Sequence, residues 1–216
     1  MLPKVLEKEG YVNSFIYGGE LEFANMRAFL TEAGFRTITG EDAFAKEEMN
    51  SKWGAHDEFI FKKALSESRQ DTTPFFQMIL TLSTHEPFEV PGVSSSARTE
   101  QDKFLQAAAY TDRCLRNYFE AARKTAWYAN TLFILVADHG HAVPKGRNYY
   151  DPQCFHIPLL FTGPVLDTLF AGRTNDTFGS QHEIANALLS QLGIEDTAFR
   201  FGSSLTLQNR NQPVYL

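Results

Sequence analysis

One segment restricts the possible folds of this chain more than any other. An apolar run over residues 131–137 leads directly into Asp138, His139 and Gly140. The run reads Thr-Leu-Phe-Ile-Leu-Val-Ala, a composition typical of a strand buried on both faces of a parallel sheet. Polar residues that follow such a strand lie at the sheet edge where α/β proteins bind ligands.

The rest of the chain alternates between helical and extended patterns. Apolar residues at helical spacing predict helices over residues 2–10, 22–33, 57–66, 102–125 and 183–192. Extended patterns predict strands over residues 11–17, 35–39, 75–83, 131–137 and 157–162. This alternation predicts an α/β fold, with a mostly parallel sheet sandwiched by helices.

The composition excludes several classes of protein. With 216 residues, 43% hydrophobic and 21% charged, the chain is long enough for one sizeable core. The formal charge of −6 argues against a nucleic-acid partner, because binding to phosphates requires a basic surface. Two cysteines, Cys114 and Cys154, are too few for a disulfide framework or a thiolate metal site. No apolar run approaches a membrane helix or a signal peptide, so this chain by itself is expected to be soluble.

Asp138 and His139 are the first candidates for chemistry. A carboxylate oxygen and an imidazole nitrogen at one strand end are suited to bind a single divalent cation. Gly140 lets the backbone turn there without a side chain in the way. The short Asp-His-Gly string also arises by chance, and an Asp in this position often only caps a turn. Both interpretations stay open at this point.

His85 is the second candidate, because it also follows an apolar strand. The alternative is a loop histidine hydrogen-bonded to nearby backbone. His141 and Arg147, beyond the Asp-His-Gly turn, are candidates for binding an anionic group such as phosphate or sulfate, and the alternative for both is an ordinary loop position. We interpret the remaining histidines as structural: His56, His156 and His182.

Short blocks along nearly the whole chain match one family in their order. They include Tyr17-Gly18-Gly19-Glu20, Trp53-Gly54, Asp57-Glu58, His85-Glu86-Pro87-Phe88, Tyr110-Thr111-Asp112, Ala137-Asp138-His139-Gly140 and Ser180-Gln181. Together they resemble the lipoteichoic-acid-synthase-like phosphoglycerol transferases, a branch of the alkaline phosphatase and sulfatase superfamily. The resemblance is to the carboxyl-terminal part of the catalytic domain, so residues 1–216 are expected to be that portion of a single domain.

The resemblance implies a metal-dependent enzyme at the extracytoplasmic face of the bacterial membrane. Such enzymes move phosphoglycerol from a lipid onto a glycan or polymer. Manganese is the metal most often associated with the branch, with zinc, magnesium and calcium as alternatives. Asp138 and His139 match two of the metal ligands. His85 matches a catalytic histidine beside the substrate phosphate, and Tyr17 matches a position where some members carry a glycerophosphate-binding histidine.

One departure from the family pattern concerns the nucleophile. The family's nucleophilic threonine and metal-binding glutamate lie upstream of the matched blocks, and nothing in this chain matches them. The chain is therefore expected to lack the amino-terminal part of its domain, to be inactive alone and to self-associate through exposed apolar surface. Two alternatives remain: a sulfatase or phosphodiesterase of the same superfamily, and a non-catalytic binding domain with the same fold.

Overall fold

The regular elements follow the order that the sequence patterns predict. The computed structural model describes residues 1–68, 73–92, 99–143, 148, 150–166, 171–175, 179–195 and 199. In chain order the elements are α1 (Leu2–Lys8), β1 (Val12–Tyr17), α2 (Met26–Ala33), β2 (Thr37–Thr39), α3 (Asp57–Glu67), β3 (Phe75–Leu80), α4 (Glu100–Ala122), β4 (Phe133–Val136), β5 (Leu159–Thr162) and α5 (His182–Gln191). The predicted α/β fold is confirmed.

β1 is the central strand of a three-stranded parallel sheet with the order β2-β1-β3. Because successive side chains of a strand point to opposite faces, Phe15 and Ile16 anchor the two sides of this sheet. Ile16 packs in a buried cluster with Ile60 of α3 and Tyr110 of α4. Phe15 packs in a second cluster with Leu30 of α2. Helices therefore cover both faces of the parallel sheet, as predicted.

β4 and β5 form a separate antiparallel pair, in which Val136 lies opposite Leu159. The prediction that β4 is buried on both faces is wrong, because Val136 is 42% exposed. Leu160 on β5 is 53% exposed, so the other face of the pair is also open to solvent. An apolar run predicts a strand, but whether other elements bury that strand depends on segments that are distant in the sequence.

Local backbone chemistry sets the helix boundaries. α2 begins at Met26 rather than at residue 22, because Ala24 and Asn25 adopt left-handed φ values of 51° and 59°. α4 begins at Glu100 because the Thr99 hydroxyl accepts the N–H of Asp102, whose carboxylate accepts the N–H of Thr99. None of the helices in the described part of the chain combines the length and apolar content needed to span a bilayer.

Candidate active site

A buried carboxylate anchors the loop that carries His85. Asp57, in the first turn of α3, is fully buried. Its Oδ1 accepts hydrogen bonds from the main-chain N–H groups of Leu82 at 2.7 Å and Ser83 at 3.0 Å, and its Oδ2 accepts from the Thr111 hydroxyl at 2.5 Å. These bonds replace the water that the carboxylate loses on burial. They fix the direction in which the chain leaves β3.

His56 supports the same loop through Ser83. The Ser83 hydroxyl accepts the N–H of Asp57 at 3.0 Å and lies 3.1 Å from Nδ1 of His56. The tautomer of His56 sets which of these two atoms is the donor, because a hydroxyl can both donate and accept. Burial lowers the pKa of His56, although the charges of Asp57 and Glu58 act in the opposite direction. The structural role predicted for His56 agrees with this network.

Two neighbours orient the His85 ring. Its Nδ1 lies 3.0 Å from the main-chain oxygen of Glu86, and the Trp53 ring lies against it with 4.6 Å between centroids. Since a carbonyl oxygen only accepts, Nδ1 is the donor and Nε2 of the neutral ring keeps its lone pair. Trp53 donates its Nε1–H to the same oxygen at 2.5 Å. His85 is thus hydrogen-bonded to nearby backbone through Nδ1, as the alternative interpretation predicts, while Nε2 is available for chemistry.

Tyr17 lies at the same edge of the sheet, at the carboxyl end of β1 and opposite Leu80 of β3. The following residues run against the Trp53 loop, where Gly54 has φ 141° and a Cβ would lie 2.0 Å from the Gly18 oxygen. Burial, and then the charge of Glu41, raise the pKa of Tyr17, so its hydroxyl is a hydrogen-bond donor at neutral pH.

Asp138 and His139 follow β4 after one intervening residue, as the sequence predicts. Asp138 Oδ2 and His139 Nε2 are 3.5 Å apart, about the spacing of two ligands on a tetrahedral cation with bonds of roughly 2.1 Å. The His139 Nδ1 donates to the Gly140 oxygen at 2.8 Å, so Nε2 keeps its lone pair. Asp138 Oδ1 accepts the His139 N–H at 2.9 Å. Asp138 thus caps the turn and still presents Oδ2.

Asp138 and His139 could supply two of the ligands of a metal ion. The side chains of Asp138 and His139 are 68% and 71% exposed and are open to a ligand. Within the described ranges, no three His, Cys, Asp or Glu side chains converge in a way that could hold a metal ion. The donor chemistry therefore suits a divalent cation, but a complete coordination shell requires further ligands.

The turn after β4 is held by two contacts that sequence reasoning missed. A Cβ at Gly140 would lie 1.6 Å from the carbonyl oxygen of Cys154, so only glycine fits. The side-chain amide of Gln181, which precedes α5, donates to the carbonyl oxygens of Ala137 at 2.6 Å and Asp138 at 2.9 Å. Gln181 belongs to one of the matched sequence blocks, but no local pattern indicates a contact with β4.

His141 connects the two loops. Its Nδ1 accepts the Val143 N–H at 3.1 Å, and its Nε2 lies 3.3 Å from Oε1 of Glu86. Both ring nitrogens therefore have protein partners, and the predicted contact of His141 with an anionic ligand stays a prediction. Arg147 lies outside the described residues. Glu86 was not singled out from the sequence, because its partner is distant along the chain.

Comparisons with known proteins identify related folds. Lipoteichoic acid synthase 1 of Bacillus subtilis (strain 168) is 22% identical over 99% of this chain and 36% of its own length, so the chain spans about a third of this relative. A solved structure of an alkaline phosphatase superfamily protein from Vibrio parahaemolyticus has a TM-score of 0.82 and 30% identity, covering 97% of this chain and 51% of that one. The lipoteichoic acid synthase LtaP from Listeria monocytogenes has a TM-score of 0.82 and 18% identity, covering 94% and 55%.

The family match agrees with these similarities. The model of the family described as Sulfatase matches residues 1–194. Proteins of this family are transferases or hydrolases, and members of the superfamily generally use divalent metals. The resemblance inferred from the short sequence blocks is therefore confirmed. Because the match extends over most of the 216 residues, the chain belongs to the sulfatase family, in the alkaline phosphatase superfamily.

Proposed function

We propose that this chain is the carboxyl-terminal portion of the catalytic domain of a metal-dependent phosphoglycerol transferase. The enzyme would act on a lipid-linked donor at the extracytoplasmic face of the bacterial envelope. One observation carries the proposal: Asp138 Oδ2 and His139 Nε2 lie 3.5 Å apart at a strand end, in a chain that aligns over 99% of its length with a lipoteichoic acid synthase.

Asp138 and His139 would hold the cation, and manganese is the metal that the resemblance favours. A bound divalent cation lowers the pKa of a hydroxyl nucleophile and stabilises negative charge on phosphoryl oxygens. The nucleophilic threonine and a glutamate ligand would come from the upstream region of the same protein. The exposure of both side chains, 68% and 71%, supports this arrangement, because the ligand atoms are accessible to another segment.

His85 would move a proton through Nε2. The bond from Nδ1 to the Glu86 oxygen holds the ring in one orientation. In the neutral ring Nε2 accepts a hydrogen bond, and in the charged ring it donates a proton to the oxygen of the leaving group. Tyr17, at the same sheet edge, would donate a hydrogen bond from its hydroxyl to an oxygen of the glycerophosphate group, and Arg147 would bind a phosphoryl oxygen.

Calorimetry of Mn²⁺ binding tests this proposal on the chain joined to its native upstream coding region. We expect Asp138→Ala and His139→Ala each to lower Mn²⁺ affinity at least about tenfold. Asp112→Ala is the matched control, because Asp112 is an exposed carboxylate on α4, with 72% of its side chain accessible. Turnover of a phosphoglycerol lipid, followed by release of the lipid alcohol, then tests the reaction. Mn²⁺ affinity that is unaffected by both substitutions would reject the metal site and favour a non-catalytic binding domain.

Hydrolysis of a sulfate ester or a phosphodiester is the second candidate, because the matching family model is described as Sulfatase. The Asp138–His139 pair does not distinguish a phosphoryl from a sulfuryl group, since both present anionic oxygens to a cation. The same protein assayed on an aryl sulfate, an aryl phosphodiester and a phosphoglycerol lipid separates these reactions. Turnover of the aryl sulfate alone would reject phosphoglycerol transfer.

A further inference from the structure

Glu86 contacts both loops of the candidate site, the loop that follows β3 and the loop that follows β4. Its main-chain oxygen accepts hydrogen bonds from His85 Nδ1 at 3.0 Å and Trp53 Nε1 at 2.5 Å. Its carboxylate Oε1 lies 3.3 Å from Nε2 of His141, two residues beyond His139. One residue thus orients the histidine proposed to carry the proton and contacts the loop proposed to hold the metal.

The direction of the Glu86–His141 hydrogen bond follows from the other ring nitrogen. The Val143 N–H donates to His141 Nδ1 at 3.1 Å, so Nδ1 is an acceptor and the proton of the neutral ring is on Nε2. Nε2–H therefore donates to the Glu86 carboxylate, and a charge on one partner makes such a bond stronger than a neutral one. The rings of Phe88 and Phe104 pack on the imidazole, each with 5.9 Å between centroids, and hold its plane.

Neither the sheet nor the local chain fixes the distance between these loops. Glu86 and His141 are 55 positions apart in sequence, with the whole of α4 between them. In the described residues β3 pairs with β1 and β4 pairs with β5, and no strand ladder joins the two sheets. A side-chain contact between the loops can therefore determine how far His85 lies from the Asp138–His139 pair.

We propose that Glu86 and His141 are positioning residues, which together set the distance between His85 and the Asp138–His139 pair. This inference rests on the proposed phosphoglycerol transfer. A displacement of about 1 Å between catalytic groups can slow a reaction by about 100-fold while ligand binding persists. The pair should accordingly affect the rate of the transfer step much more than the affinity for metal or donor.

A double-mutant cycle on the protein with its upstream region tests the proposal. We expect Glu86→Ala and His141→Ala each to lower kcat for a phosphoglycerol lipid about 10- to 100-fold, with KM and Mn²⁺ affinity changed less than about threefold. The double variant should lose no more than His141→Ala alone, because the hydrogen bond that Glu86→Ala removes is already absent in His141→Ala. His141→Gln should recover most of kcat, since its amide can donate to Glu86 and accept from Val143.

Other outcomes would overturn the inference. A higher KM in His141→Ala with unchanged kcat would show that His141 contacts the substrate. A lower Mn²⁺ affinity would show that it binds the metal. Additive losses in the double variant would show that the two residues act independently. Glu9→Ala is the control and should match the unmodified protein, because Glu9 is an exposed glutamate that follows α1 and precedes the amino-terminal end of β1.

A spectroscopic readout separates this inference from the proposed function. The ring nitrogens of His85 are observed by ¹⁵N nuclear magnetic resonance in the unmodified protein, His141→Ala and His141→Gln. We expect the His85 signals to shift in His141→Ala and to return in His141→Gln, which keeps the contact with Glu86. His141 acts on His85 through its contacts with Glu86 and Phe88 of the same loop. Shifts without transfer activity would reject the proposed function and retain the positioning pair. Unchanged His85 signals in His141→Ala would reject the pair.

Discussion

The side-chain amide nitrogen of Gln181 lies 2.9 Å from the main-chain oxygen of Asp138, and it also donates to Ala137 at 2.6 Å. α5 thus holds the end of β4 through one glutamine. Asp138 is a proposed metal ligand, and loss of the contacts that orient a metal ligand typically lowers metal affinity 10- to 100-fold. We expect Gln181→Ala to lower Mn²⁺ affinity about tenfold, measured by calorimetry on the protein with its upstream region.

The control for Gln181 is Gln101→Ala, an exposed glutamine on α4. It should leave Mn²⁺ affinity unchanged. Gln181→Glu gives a further check, because a carboxylate cannot donate to the two carbonyl oxygens and should weaken binding as much as alanine does. Equal affinities for the unmodified protein and Gln181→Ala would contradict the supporting role.

Asp57 should contribute strongly to stability. Its carboxylate is fully buried and accepts hydrogen bonds from Leu82, Ser83 and Thr111. Alanine would leave these donors without an acceptor, so we expect Asp57→Ala to lower the free energy of unfolding by about 3 kcal/mol in urea denaturation. Asp112→Ala, on the exposed face of α4, should change it by less than about 0.5 kcal/mol. Similar losses in both variants would contradict the importance of the buried network.

Stability should fall in mild acid because of His56. Burial lowers the pKa of His56 in the folded state below the value of about 6.5 in the unfolded state, although the carboxylates of Asp57 and Glu58 oppose this shift. Between these two values the unfolded chain binds a proton that the folded chain excludes. The free energy of unfolding should therefore decrease as the pH falls below about 6.5, and this contribution should be constant above it.

Urea denaturation at pH 8, 7, 6 and 5.5 measures this effect. The free energy of unfolding of His56→Gln should decrease less steeply with acid, because an amide can form hydrogen bonds in place of the ring and does not titrate in this range. The comparison at pH 8 gives the cost of the substitution itself. The same pH dependence in the variant and the unmodified protein would show that other groups cause the acid sensitivity.

The isolated 216-residue chain should self-associate through β4 and β5. Val136 is 42% and Leu160 is 53% exposed, and they lie on opposite faces of this antiparallel pair. Apolar strands of this kind associate with further copies unless they are covered or charged. We expect sedimentation velocity to show oligomers that increase with concentration, and Leu160→Lys to reduce them.

Leu105→Lys is the control for the self-association experiment, because Leu105 on α4 is 49% exposed and lies outside β4 and β5. It should leave the oligomers unchanged. We expect that joining the chain to its upstream region also reduces association, because apolar strands that are covered by further parts of a domain no longer bind other copies. A monomer at every concentration, with one sharp thermal transition, would contradict this prediction.

The strand-end location of the principal residues of the candidate site was predictable, because these residues have local signals. Asp138 and His139 follow an apolar run, and His85 follows another, so a strand-end location could be assigned without any long-range information. Glu86, Trp53 and Gln181 were not identified as site residues. Each acts through a contact with a residue distant in sequence, and side-chain type alone does not indicate such a partner.

The sequence by itself determined the order of helices and strands, the positions of their ends to within a few residues, and the family. These features depend on apolar spacing, capping residues and short motifs, which are properties of neighbouring residues. Tertiary structure decided that β5 runs antiparallel to β4, that this pair is exposed, and that Glu86 meets His141. The direction of a strand and the contact between two loops depend on which distant segments pack together in the folded protein. No local sequence pattern predicts that packing.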